Sequence, residues 1–61
     1  MMSCKGNLYI KGKYSNGRTP DASVYADSIL GVLGELSHYA LTMTDDDTTE
    51  IRIVVKRKEE K

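Results

Sequence analysis

The residues able to do chemistry crowd into one short stretch, "YSNGRTPDAS" at residues 14–23. Asn16-Gly17 supplies the positive φ that a tight turn needs. Thr19, Pro20 and Asp21 then read as a helix start: a cap, a first-turn proline and an acid at the positive end of the dipole. Free N–H groups at such a start form a ready anion site, and Lys13 and Arg18 could add charge-assisted bonds to a phosphate. The spacing matches neither a P-loop nor a dinucleotide fingerprint. A plain strand-to-helix corner accounts for every residue here except Arg18.

Other candidates are sparser. His38 is the single histidine and Cys4 the single cysteine. No nucleophile, base and orienting group can be assembled from Ser28, Ser37, Cys4 and His38, so the reading is a non-enzyme. "TDDDTTE" clusters Asp45, Asp46 and Asp47 without the ligand spacing or central glycine of a calcium loop. A solvated acidic loop explains it, and neither a metal nor a cofactor is expected.

The elements that must position these residues follow from periodicity. "NLYIKGKY" alternates, with Leu8, Ile10, Gly12 and Tyr14 on one side and Asn7, Tyr9, Lys11 and Lys13 on the other. "TEIRIVVKRK" repeats the pattern with Ile51, Ile53 and Val55 against Arg52, Val54 and Lys56. Between them, Tyr25, Ile29, Val32, Leu33, Leu36, Tyr39, Ala40 and Met43 fall within roughly 120° of a helical wheel. The expected order is a strand at about 7–14, one helix at about 20–43, an acidic loop at 44–48, a strand at about 49–57 and a frayed tail at 58–61. Residues 40–44 also alternate, which leaves a strand open there. The whole is one small domain of α+β, or small α/β, class: a strand-helix-strand unit with one long amphipathic helix.

Size sets a further constraint. A chain of 61 residues buries only about 60% of its unfolded surface. One cysteine permits no internal disulfide, and that leaves oligomerisation as the usual support. Ala26, Leu30 and Leu41, with Ser37 between, widen the apolar arc to ~200°, more than two strands cover. A helix of that span is ~36 Å long, against under ~30 Å for either strand. Gly31 and Gly34 suit close approach of a second backbone. Ala26, Leu30, Gly31, Gly34, Ser37 and Leu41 are therefore the expected interface of a homo-oligomer that completes the sheet and core.

Charge is neutral overall but segregated. Residues 1–18 carry Lys5, Lys11, Lys13 and Arg18 and no acid; residues 19–50 carry seven acids and no Lys or Arg. On the sheet face away from the helix, Tyr9, Lys11, Lys13, Arg52, Val54 and Lys56 should lie together without an acid. A basic face with an aromatic suits phosphate tracking and base stacking. Lysines guarding sheet edges would look the same.

The function expected is a non-enzymatic, homo-oligomeric binding protein for a phosphate-bearing ligand, either a nucleotide or a nucleic-acid backbone. Tyr9, Lys11, Lys13, Asn16, Arg18, Thr19, Arg52 and Lys56 would carry the binding. Phage-encoded nucleotide sponges illustrate such a role in size and logic alone. The alternative is a protein-binding inhibitor or adaptor, of the kind phages direct at host enzymes, docking through its charged or spare apolar surface. With no secretion signal, no membrane span and a lone thiol, a cytoplasmic location is expected.

Overall fold

The protein was analysed as a computed structural model, which describes the backbone of residues 2–59 and the side chains of residues 3–57. Four elements follow in order: β1 (Met2–Gly12), β2 (Ala22–Ala26), α1 (Ile29–Met43) and β3 (Thr48–Glu59). The strands form one antiparallel sheet in the order β2-β1-β3. This is an α+β fold, with the helix on one face of a three-stranded sheet.

The centre strand alternates from Ser3 to Lys11. Cys4, Leu8 and Ile10 are buried beneath the helix, and so is Gly6. Opposite them on the same face stand Ala26, Val24 and Ala22 of β2, and Arg57, Val55, Ile53 and Ile51 of β3. From the helix, Val32 and Leu36 close the core, with Ile29 and Ala40 packed at its margin. Fully burying a leucine such as Leu8 or Leu36 contributes about 1.5–3 kcal/mol. Cys4, which precedes the strand expected from about residue 7, is a core residue at 1% exposure.

Segment 20–28 differs most from expectation. It holds a strand and a cap rather than the first third of a helix. Asp21 enters β pairing: its N–H donates to the Leu8 carbonyl (2.8 Å), and its carboxylate accepts the Ile10 N–H (2.9 Å). Ala22, Val24 and Ala26 face the helix while Ser23 and Tyr25 face away, the period of a strand. Ser28, not Thr19, caps the helix, its Oγ accepting the Gly31 N–H at 3.0 Å. At the other end Thr44 caps the helix and its hydroxyl donates to the Ala40 carbonyl at 2.6 Å, so residues 40–43 are helical.

The remaining boundaries shift less. The first strand begins five residues earlier than 7, and β3 runs through residue 58 of the expected tail to Glu59; residues 60 and 61 lie outside the described residues. Shortening the helix to 15 residues reverses the length argument for assembly. The helix now spans ~22 Å, shorter than the ~36 Å of β1. Among the described residues, no helix is long and apolar enough to cross a membrane.

Two stability outcomes follow. A Cβ at Gly6 would collide with Val32 and come within 2.6 Å of Leu36, so Gly6→Ala is expected to cost about 1–3 kcal/mol in urea unfolding. Ser28→Ala is expected to cost about 1 kcal/mol and Thr19→Ala less than about 0.5 kcal/mol, the reverse of what a helix starting at residue 20 requires.

Candidate binding surface

The sheet face away from the helix is open. Its register builds rows from the three strands: Tyr25, Lys5 and Lys56; then Ser23, Asn7 and Val54; then Tyr9 and Arg52; then Lys11 and Glu50. Lys5 and Lys56 are direct cross-strand partners. Like charges placed so oppose sheet formation. Nothing within the two strands explains why both are cationic.

The aromatic groups accompany this charge. The Arg52 guanidinium lies 4.8 Å from the centre of the Tyr9 ring, and the Lys5 ammonium 5.6 Å from that of Tyr25. Such cation–π contacts, worth about 0.5–1 kcal/mol at exposed sites, hold the cations over the rings. Asn7 accepts a hydrogen bond from the Ser23 hydroxyl at 2.7 Å, tying the second row across β1 and β2. Lys5, Asn7, Tyr9, Val54 and Lys56 line a half-open depression of about 180 Å³ on this face.

Tyr9, Lys11, Arg52 and Lys56 thus share the surface expected of them. Lys13 does not: β1 ends at Gly12, and Lys13 belongs to the following bend, its ammonium 5.5 Å from the Tyr14 ring. The corner at residues 15–19 is not a helix N-terminus, which removes the free N–H groups that made it an anion cradle. It is a turn closed on itself. Asn16 accepts the Arg18 N–H through its side chain (2.8 Å), and Gly17 supplies the positive φ of 73°. Asn16 bridges to Lys11, and Arg52 donates to the Gly17 carbonyl at 3.4 Å, so the turn abuts one end of the sheet face. Arg18 and Thr19 are exposed there.

Two members of the surface were missed, and one acid was not foreseen. Lys5 precedes the strand expected from Asn7, and Tyr25 falls on the apolar arc expected of the helix. Tyr25 is 68% exposed on the open face. The alternation of "SCKGNLYI" and "ASVYA" carries both signals. Glu50 stands opposite Lys11, so the face is not free of acid at that end.

The other candidates separate. Asp45 turns inward on its own loop, its carboxylate accepting the Asp47 N–H at 2.9 Å. Among the described residues, no group of three or more His, Cys, Asp or Glu side chains is placed to hold a metal ion. His38 is exposed and meets Tyr39 edge-to-face. Tyr39 and Met43, expected in the core, are each about two-fifths exposed.

Because Lys5 and Lys56 oppose each other, Lys56→Glu should stabilise the fold by roughly 0.2–1 kcal/mol at low ionic strength. Urea unfolding with and without added salt measures it, and the gain should shrink as salt is raised.

Comparison with protein-family models, with curated proteins and with solved structures finds no match to this chain.

Proposed function

We propose that this chain is a non-enzymatic binding protein whose open sheet face takes single-stranded nucleic acid through its phosphate backbone. The observation that carries the reading is the facing Lys5/Lys56 pair beside exposed Tyr25, with Tyr9 and Arg52 further along the same face. An anion between the two ammonium groups relieves their repulsion, and bases have rings on which to stack. Rows lie ~7 Å apart along a strand at about 3.4 Å per residue, so the Lys5 row and the Tyr9 row are separated by ~14 Å. A ligand must be extended to meet both. The flat face favours a polymer over a sequestered nucleotide, because small-ligand sites bury most of their ligand in a cleft.

Lys5, Lys11, Arg52 and Lys56 supply the phosphate contacts in this reading, and Tyr9 and Tyr25 the stacking. Arg18 and Asn16 lie beyond Lys11, where the strand of nucleic acid would leave the sheet. Glu50 marks the weaker end. The protein-docking alternative draws on a different surface, the outward side of α1, where Leu30 and Leu41 are each 81% exposed.

Fluorescence anisotropy with a labelled oligothymidylate at low salt tests the proposal. Four phosphate contacts predict that log K falls with log salt at a slope of roughly −3. Tyr9→Ala should weaken binding by about 1–3 kcal/mol. Lys56→Glu should weaken it at least as much while the fold becomes more stable. Failure to bind at low salt, or affinity unchanged in both variants, removes the reading.

A further inference from the structure

Beyond the sheet face, α1 carries apolar residues on two sides. Ile29, Val32, Leu36 and Ala40 turn toward the sheet. At 100° per residue, Leu30, Gly34, Ser37 and Leu41 form a second stripe turned about 125° from the first. All four are exposed, and Leu30 and Leu41 are each 81% exposed. No charged residue interrupts the stripe. Of the six interface residues expected from sequence, these four share it. Ala26 lies in β2 against the core, and Gly31 is crowded by Ser28 Oγ and Ala26 within its own chain.

Gly34 is the informative member. A Cβ there would meet nothing within 4 Å. Glycine in a helix interior is destabilising relative to alanine. Neither packing nor backbone conformation within the chain calls for it, since its helical φ is one that any residue adopts. Close approach of another backbone does call for it.

The stripe is also self-complementary. Its 4-3-4 spacing is the d-a-d-a pattern of a coiled-coil seam. A two-fold axis crossing the helix between Glu35 and Leu36 sets Leu30 against the partner's Leu41 and Gly34 against the partner's Ser37. Leucines then close both ends around a centre of small residues. Two helices ~22 Å long and ~10 Å across, in contact along one flank, remove on the order of 1,000 Å² in total, the lower bound for a specific interface. Among the described residues, six fully or nearly fully buried apolar residues make a thin core, and added burial is what small domains need.

We propose that two copies of the chain pair antiparallel through Leu30, Gly34, Ser37 and Leu41. The pairing is of the weak class its area implies, so dimer forms and dissociates within the micromolar range. It leaves the open sheet face of each copy uncovered, because that face lies on the other side of the sheet from the helix. The dimer therefore presents two such faces, whatever they bind, and would bridge two segments of one ligand or two ligands.

Sedimentation velocity of the full chain, from low micromolar to near-millimolar concentration, should show the mass doubling. Gly34→Gln keeps the monomer fold, as the position is open, but wedges the helices apart. Its circular dichroism should match the parent while its dimer dissociates at least tenfold more readily. For geometry, Leu30→Cys and Leu41→Cys are made separately and one is tagged. The mixture should oxidise to a cross-linked heterodimer, whereas each variant alone should not; Cys4 is buried and does not compete. A monomer at every concentration overturns the proposal. So does a Gly34→Gln protein that pairs as tightly as the parent, or single-cysteine variants that cross-link to themselves.

Discussion

The absence of a side chain at residue 6 is the constraint on which the rest of the structure hangs. Gly6 sits in the middle of the centre strand, and Val32 and Leu36 occupy the space a Cβ would need. That contact lets α1 lie close enough for both residues to reach 0% exposure. A thin protein, 11 Å in its shortest extent, has no layer beyond the helix and sheet to compensate for a gap there. Burying the helix on one side of β1 also decides which side of the sheet stays open. The open face is the remainder left by the core.

What remains on that face is not a neutral solvated sheet. Cross-strand neighbours normally support each other through opposite charge or apolar contact. Here the end row sets lysine against lysine, and two cations lie over tyrosine rings instead of against carboxylates. Glu50, opposite Lys11, is the only acid in the four rows. In the reading proposed above, such a surface receives an anion.

The helix divides its own labour similarly. One side is committed to the sheet, and the other carries two exposed leucines around a glycine for which the chain itself has no use. The length argument for an interface on this helix fails, since α1 is shorter than β1 and β3. The surviving reason is local: an uncharged seam whose spacing is the same read in either direction.

Much of this was legible in the residues. Alternation marks β1 and β3, helical periodicity marks 29–43, and Asn16-Gly17 marks a turn with positive φ, because each is set by neighbours within a few positions. Tyr9 and the basic strand residues Lys11, Arg52 and Lys56 share a face for the same reason: period 2 fixes their side. "ASVYA" was read as helix because five residues are too few to separate a period of 2 from one of 3.6, and Ala22 and Ala26 align under both. Only pairing with β1 resolves it, through the Asp21 bonds to Leu8 and Ile10. The same pairing brings Tyr25 beside Lys5 and makes Ser28 the cap. Local sequence thus determined which stretches alternate and which turn. Tertiary structure decided what β1 lies against, because hydrogen bonds between distant strands leave no periodic trace in either strand alone.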